Sequence, residues 1–303
     1  MTRHALKFLI LPVIAALVGC GGNGNGSLGL SITDAPVDGA ISVVVEITAV
    51  EALPVTGNPI VYNFPQPQQI DLLQVQQGLS TPLLTNWGLP AGPYQGLRLT
   101  ISADGSGTDS YIVLNDGSQH ALIPYIPPNT LTCGLPCSMS VFLHINTPFI
   151  INAGSNSSAV VEFDARKSVL PPAPGSTAYE LQPEGRMVGA MSAGNIIGTV
   201  SPTLITSGCT PAVYVFAGAN ANPVDLNNNA PPGTQPVTES AVTLNNTTGN
   251  YDFTAAFLPA GTYTLAFTCE AAQDNPAVAN TISFTSVGAA PAVAGQTILV
   301  SLH

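Results

Sequence analysis

Positive charge is scarce in this sequence, which contains six Lys and Arg residues against 17 Asp and Glu. Arg3 and Lys7 lie at the very start of the chain, and residues 195–303 contain no Lys or Arg. Nucleic acid binding needs clustered cations that neutralise phosphates, and anionic lipid surfaces attract polybasic segments. The composition therefore excludes nucleic acid as a partner and excludes electrostatic binding to acidic lipid.

Charge of either sign is rare, and long helix-forming runs are missing. Only 8% of the residues are charged, where about a quarter is usual. The 29 Gly and 27 Pro interrupt short apolar runs, which excludes long helices. The β-branched residues of 41–50 and the alternation of Leu97, Leu99 and Ile101 indicate strands. The sequence predicts an all-β protein with two antiparallel β-sandwich domains, a number that suits its length.

The first twenty residues have the pattern of a secretion signal. A basic head precedes the apolar residues 8–17, a stretch too short to span a bilayer. It ends in Leu17-Val18-Gly19-Cys20, which resembles the lipobox of bacterial lipoproteins. The resemblance implies a signal peptide at 1–19 and a diacylglycerol and acyl chains on Cys20. No other cofactor is predicted. Residues 20–27 then form the lipidated cysteine and a Gly/Asn tether.

The residue after the cysteine bears on localisation. Gly21 stands where an inner-membrane retention signal would place Asp. The resemblance therefore implies a Gram-negative outer-membrane lipoprotein, held to the membrane through its lipid and facing either the periplasm or the cell surface.

Five cysteines become an even set once Cys20 carries lipid. In an oxidising envelope the remaining four predict two disulfides, Cys133–Cys137 and Cys209–Cys269. A metal or redox role for the first pair is the alternative. Its three intervening residues miss the C-x-x-C spacing, and no second pair completes a zinc site.

Several ordered motifs carry a resemblance over residues 27–189. They are Ser31-Ile-Thr-Asp34-Ala-Pro36, Ile70-Asp71-Leu72-Leu73, Leu89-Pro90-Ala91-Gly92 with Tyr94, Phe163-Asp164-Ala-Arg166-Lys167-Ser168 and Tyr179-Glu-Leu-Gln-Pro183. Together they resemble a bacterial envelope lipoprotein family known only as domain of unknown function four-three-eight-two. The resemblance implies a β-sandwich over residues 28–189 and no established activity.

Residues 195–303 follow a break rich in Gly, Ala and Ser. Tyr251-Asp-Phe253, followed by Leu258-Pro-Ala-Gly261-Thr-Tyr263, resembles the carboxypeptidase-regulatory or transthyretin-like sandwich. A lysine–asparagine isopeptide crosslink is excluded here because this part has no lysine. Residues 89–94 repeat the Leu-Pro-Ala-Gly-x-Tyr pattern, either through convergent turn chemistry or through duplication.

Catalytic motifs are missing from the sequence. There is no H-E-x-x-H, G-x-S-x-G or Walker loop, and nothing joins His120, His144 and His303 into a site. The carboxylates Asp34, Asp38, Glu162 and Asp164 are candidates for glycoside hydrolysis. The alternative is that Asp34 caps a turn while Glu162 or Asp164 pairs with Arg98 or Arg166. The oxygen-rich loops 104–109 and 225–229 are polar turns or, alternatively, calcium loops.

These patterns predict no catalytic, cofactor-binding or metal-binding residue. We expect a non-enzymatic binding or scaffold module of the envelope with a protein or glycan partner. The alternative is a carbohydrate-binding adhesin with the single tryptophan, Trp87, as its ligand contact, and Trp87 could instead pack beside the Leu89-Pro90 turn. An envelope hydrolase is the third hypothesis.

Overall fold

A computed structural model gives the fold, and the structure describes residues 24–37, 39–127, 139–231 and 233–303. The signal peptide, Cys20, Asp38, Cys133 and Cys137 lie outside the described residues. Over the described ranges, no helix has the length and apolarity needed to cross a membrane.

Two sheets built from residues 25–189 form the N-terminal sandwich. Its elements are β1 (Asn25–Ala35), β2 (Ala40–Pro54), β3 (Ile60–Asp71), β4 (Thr81–Pro90), β5 (Gly92–Ser102), β6 (Tyr111–Leu114), β7 (Gln119–Pro124), β8 (Ser140–Ile145), β9 (Phe149–Ile151), β10 (Asn156–Asp164), α1 (Ala165–Ser168), β11 (Val169–Leu170), β12 (Tyr179–Leu181) and β13 (Gly185–Gly189). The first sheet has the order β13-β10-β1-β4, and the second runs β11-β12-β7-β6-β2-β5-β8, with β3 paired to β2 and β9 to β5.

Two four-stranded sheets built from residues 193–302 form the C-terminal sandwich. Its strands are β14 (Ala193–Val200), β15 (Ala212–Ala217), β16 (Thr238–Ala241), β17 (Thr243–Leu244), β18 (Tyr251–Pro259), β19 (Gly261–Thr268), β20 (Ser286–Ala292) and β21 (Thr297–Leu302). The orders of the two sheets are β17-β18-β14-β21 and β16-β15-β19-β20.

The prediction of an all-β fold is confirmed. Within the described ranges the strands pair antiparallel except at β1 with β10, β7 with β12, and β14 with β21, which are parallel. The pairing of β1 with β10 brings the last residues of these two strands side by side at one end of the sheet, with Ala35 opposite Asp164.

Alternating apolar residues build the core of each sandwich. In β1 the side chains of Leu28, Leu30 and Ile32 are all buried and point to one face, as the two-residue period of a strand requires. β15 differs because its second face is covered as well: Tyr214 and Phe216 pack against Leu226 and the ring of Phe284. The continuous apolar run of β15 reflects this burial on both faces.

The tether is shorter than predicted, because β1 already begins at Asn25. Residues 25–27 therefore belong to the sheet, and the prediction that they form a flexible tether is wrong. Gly26 is buried, and a Cβ there would lie against the carbonyl oxygen of Asn152 and the side chain of Ile151. Glycine at this position thus allows a close backbone contact, where the sequence suggested flexibility.

The two Leu-Pro-Ala-Gly-x-Tyr segments share one structural device. The Tyr94 hydroxyl donates a hydrogen bond to the Pro90 carbonyl (2.8 Å), and the Tyr263 hydroxyl donates to the Pro259 carbonyl (2.7 Å). Each tyrosine is buried and locks the turn that precedes it. A positive φ occurs only in the first segment, at Gly92, so the shared constraint is the tyrosine hydrogen bond.

Candidate functional site

Three of the four cations that follow Cys20 in the sequence lie where the N-terminal sandwich meets the C-terminal one. Arg166 and Lys167 belong to α1, which directly follows β10. Arg186 lies on β13, which pairs with β10 and sets Arg186 opposite Glu162. We call this cluster and its partners from the C-terminal sandwich the junction.

Two aspartates hold α1 in place. The Asp164 carboxylate caps the helix by accepting a hydrogen bond from the Lys167 backbone N–H (3.0 Å). Asp34, brought alongside by the β1–β10 pair, accepts from the Ala165 N–H (3.0 Å) and from the side chain of Gln76 (3.1 Å). Burial raises the pKa of Asp34 well above its usual range. The prediction that Asp34 serves a turn fits this geometry, with α1 as the turn that it caps.

Arg186 joins the two sandwiches through one guanidinium group. Nη2 pairs with the Glu162 carboxylate, while Nε donates to the Val237 carbonyl (3.1 Å) and Nη1 to the Phe257 carbonyl (2.6 Å). Burial raises the pKa of Glu162, and the charge of Arg186 opposes that shift. A planar group with several donors is suited to bridging a carboxylate and carbonyls at once. The expected partners of Glu162 were wrong, since Arg98 pairs with Glu51 (2.5 Å).

Lys167 makes the second bridge. Its Nζ lies 2.9 Å from Asp164 Oδ2, donates to the Pro236 carbonyl (3.0 Å) and lies 3.7 Å from Glu239 Oε1. Burial alone would lower the pKa of Lys167, but the carboxylates of Asp164 and Glu239 outweigh burial and raise it. Asp164 is thus paired with Lys167, where Arg98 or Arg166 was expected.

Arg166 makes the third bridge, toward the outer face of β15. Its Nη1 donates to the Tyr214 hydroxyl oxygen (3.1 Å), and that hydroxyl donates to Asp274 Oδ2 (2.7 Å). Asp274 also accepts from the Leu226 N–H (2.9 Å). Burial raises the pKa of Asp274, and these two hydrogen bonds partly offset the rise. These contacts connect α1 to three segments of the C-terminal sandwich, at Tyr214, Asp274 and Leu226.

The part of the junction beside Asp34, Glu162 and Glu239 is closed to substrates, whereas Arg166 and Asp274 line an open groove of about 430 Å³. The space beside Asp34, Glu162 and Glu239 is about 10 Å³, which is room for about one water molecule. A glycosidase needs its two carboxylates on either side of a bound sugar. Asp34, Glu162 and Asp164 are instead engaged by donors of the protein and shut in, so the hypothesis that they form a hydrolytic pair is wrong for these three residues.

Glu239 is the least satisfied member of the junction. Neither of its buried carboxylate oxygens accepts a hydrogen bond. Burial and Asp164 raise the pKa of Glu239 to about 8, against the opposing charges of Lys167 and Arg166. Around neutral pH the folded protein therefore keeps this side chain protonated.

We expect folding stability to fall as pH rises from about 4.5 to about 8. The folded protein holds the Glu239 proton more tightly than the unfolded chain does, so this contribution is complete below the unfolded pKa of 4.5 and is lost by the folded pKa of about 8. It amounts to a few kcal/mol, on the order of the pKa difference converted to free energy. Denaturant unfolding of the wild type and of Glu239→Gln across this range measures the difference between them.

The matched control for this measurement is Glu46→Gln, on β2 and outside the junction, which should keep the wild-type slope. Wild-type and Glu239→Gln curves that run parallel over the whole range would contradict the role given to Glu239.

Of the other predicted site residues, the Cys209–Cys269 disulfide is confirmed. Trp87 is 8% exposed and packs edge-to-face on Tyr62, with ring centroids 6.0 Å apart. A sugar-stacking platform needs a free ring face, so the prediction of Trp87 as a ligand contact is corrected: it is a core residue.

The two oxygen-rich loops are held by hydrogen bonds to neighbouring protein groups. Asp109 Oδ2 accepts from the Asp104 N–H and the Ser102 hydroxyl, both at 2.8 Å. Asp225 accepts from the Asn280 N–H. Within the ranges that the structure describes, no three His, Cys, Asp or Glu side chains group closely enough to hold a metal ion.

Sequence reasoning missed most of the junction. It did not single out Lys167, Arg186, Tyr214, Glu239 or Asp274. One signal was present in the charge distribution: three of the four late cations fall within residues 166–186, directly before a region that has none. That asymmetry indicates that the cations serve a neighbouring region that has no Lys or Arg of its own.

The fold and the junction define a two-sandwich β protein whose halves are joined by buried ionic contacts. The chain belongs to the family described as Domain of unknown function (DUF4382), whose model matches residues 25–183. The match includes Asp34, Glu162 and the cations of α1. Arg186 and the partners supplied by the C-terminal sandwich lie beyond it.

Among the solved structures that the chain matches is a leucine-rich repeat protein from Bacteroides thetaiotaomicron, at 12% identity and a TM-score of 0.20. The alignment covers 92% of this chain and 26% of that one. The chain thus spans about a quarter of that protein's length. The minor pilin GBS52 from Streptococcus agalactiae aligns at 9% identity over 91% and 94% of the two chains (TM-score 0.20). The pilus backbone protein from Streptococcus pneumoniae aligns at 8% identity over 90% of each (TM-score 0.21).

At these TM-scores the similarity carries no conclusion about fold or function. No curated protein matches the chain in sequence.

Proposed function

We propose that this protein is a lipid-anchored, non-enzymatic scaffold or binding module of the bacterial outer membrane, in which the junction makes the two sandwiches one stiff unit. The observation that carries the proposal is the use of Arg166, Lys167 and Arg186. All three donate hydrogen bonds to groups of the C-terminal sandwich, Arg166 to the Tyr214 hydroxyl, Lys167 to the Pro236 carbonyl and Arg186 to the Val237 carbonyl.

Stiffness is what a spacer or display module requires. Domains connected only by a linker move relative to each other unless their interface is extensive. Here Arg186 and Lys167 contact four carbonyls of the C-terminal sandwich, those of Val237, Ala256, Phe257 and Pro236. A bound partner would therefore be held at a set position relative to the anchor.

We further propose that the C-terminal sandwich is of the carboxypeptidase-regulatory or transthyretin-like type. Support comes from the Leu258-Pro-Ala-Gly261-Thr-Tyr263 segment, which joins β18 to β19 across two four-stranded sheets. The glycan-binding alternative loses its main support with the burial of Trp87.

The anchor is tested on Cys20. Cells fed radiolabelled palmitate should label the wild-type protein and should fail to label Cys20→Ser, because the thiol that takes the diacylglycerol is gone. Cys133→Ser is the matched control, since it removes a thiol by the same substitution and should keep the label. A wild-type N-terminal peptide without acyl mass would overturn the proposal.

A further inference from the structure

The fold begins only a few residues after Cys20, the proposed site of lipid attachment. Gly24 is already fixed, because its carbonyl accepts a hydrogen bond from the Ala91 N–H (2.9 Å). The Asn25 carbonyl likewise accepts a hydrogen bond from the Gly154 N–H (2.9 Å). Four residues span at most about 14 Å when fully extended. The end of the N-terminal sandwich where Gly24 lies must therefore stay close to any lipid on Cys20.

The segments that surround this end carry no charge. Residues 52–70, 72–97 and 145–161 contain no Asp, Glu, Lys, Arg or His, in a chain whose net charge is −11. These segments include the β2–β3 turn, the β4–β5 turn and the stretch from β9 into β10. An acidic end would be repelled by the negative surface potential of an anionic bilayer, and this end avoids that repulsion.

The same end exposes apolar side chains. Val55 is 52% exposed and Ile150 is 64% exposed, and both line one open groove of about 590 Å³ with Pro93, Pro148 and Phe149. We call these five residues the apolar patch. It lies beside the chain exit, because Pro93 pairs with Ile150 in the sheet and Ala91 binds Gly24.

The apolar patch is rigid. The Val55 N–H donates to the Pro93 carbonyl (3.1 Å), and the ring of Phe149 stacks on that of Tyr94 with centroids 4.9 Å apart. Tyr94 is in turn locked to Pro90. The patch thus presents a preformed apolar surface and needs no rearrangement to bind.

We propose that the apolar patch rests in the headgroup boundary of the lipid bilayer and so sets the orientation of the whole protein on the membrane. This inference rests on the proposed lipid anchor. Tethering makes the contact intramolecular, so a surface too weak to bind lipid alone binds at high effective concentration. Apolar side chains partition into this boundary even where no basic residue is nearby. The segments that surround this end of the sandwich contain no Lys or Arg.

The test uses the full lipidated protein in phosphatidylcholine vesicles whose acyl chains carry bromine close to the headgroup. Ile150→Trp adds an indole to the patch, and Leu299→Trp adds one at a site on β21 that is 79% exposed. Bromine quenches indoles by contact, and the wild type supplies the background of buried Trp87. The added emission of Ile150→Trp should be largely lost, and that of Leu299→Trp should be retained. Both positions are exposed, so both variants should melt as the wild type does.

Two outcomes overturn the inference and identify which step failed. In the first outcome, the protein floats with the vesicles but the indole at position 150 is no more quenched than that at position 299. The anchor then stands and the contact between patch and bilayer is refuted, so that a protein becomes the expected partner of the patch. If the wild type does not float with the vesicles, the anchor itself fails and the patch proposal fails with it.

Discussion

Replacing Arg186 with methionine should lower the free energy of unfolding by about 3–5 kcal/mol, the usual cost of breaking a buried ion pair from one side. The substitution leaves Glu162 buried without its cation and leaves the carbonyls of Val237 and Phe257 without their donor. Denaturant unfolding measures the loss. Small-angle scattering should also show a broader range of overall shapes, since Arg186 contacts both sandwiches.

Arg98→Met is the matched control for this prediction. Arg98 also pairs with a glutamate, Glu51, but its side chain is 32% exposed and the pair lies within one sandwich. Such a pair contributes about 1 kcal/mol or less. The double variant Arg186→Met/Glu162→Gln should recover part of the loss, because no unpaired carboxylate remains. Equal losses for Arg186→Met and Arg98→Met would contradict the role given to the junction.

Removing the Cys209–Cys269 disulfide with alanine at both positions should destabilise the C-terminal sandwich by roughly 4 kcal/mol in the chain-entropy relation. The two cysteines are 60 residues apart, and both pack against the core of that sandwich. The bond closes a large loop and so restricts the conformational entropy of the unfolded chain. Without the bond the unfolded chain regains that entropy, and the folded state becomes less stable relative to it. Calorimetry should show that this sandwich unfolds at a lower temperature than in the wild type.

The predicted Cys133–Cys137 bond provides the comparison. It would close only a short loop, so its removal should cost about half as much by the same relation. A Cys209→Ala/Cys269→Ala variant as stable as the wild type would show that the large loop is already ordered by other contacts in the unfolded chain.

The strands were predictable because their pattern is local. Leu97, Leu99 and Ile101 alternate along β5, and all three are fully buried. The Cys209–Cys269 pair followed from parity once Cys20 was set aside. Both inferences depend on residue spacing and count, which a sequence states directly.

The junction was not predictable because its partners are far apart in the chain. Arg166 lies 48 residues from Tyr214, and Arg186 lies 71 residues from Phe257. Opposite charge alone suggested Arg98 or Arg166 as the partner of Glu162. The register of β10 against β13 instead places Glu162 opposite Arg186. Which cation meets which carboxylate depends on strand order, which spacing does not encode.

The predictions for Trp87 and for the tether were wrong for a related reason. A lone tryptophan and a Gly/Asn run have the same composition whether they are exposed or packed, and only neighbours distant in sequence decide between the two. Tyr62 covers Trp87, and the stretch around Asn152 and Gly154 takes residues 25–27 into the sheet.

By itself, the sequence determined that this protein is all β, that it is acidic with few cations, and that Cys209 and Cys269 are available to pair, because alternation, composition and count are properties of the chain alone. The tertiary structure alone decided that three of those cations close a junction between two sandwiches and that the chain enters the fold beside an uncharged apolar end. Both depend on through-space contacts, whose energies exist only once the strand registers have brought distant residues together.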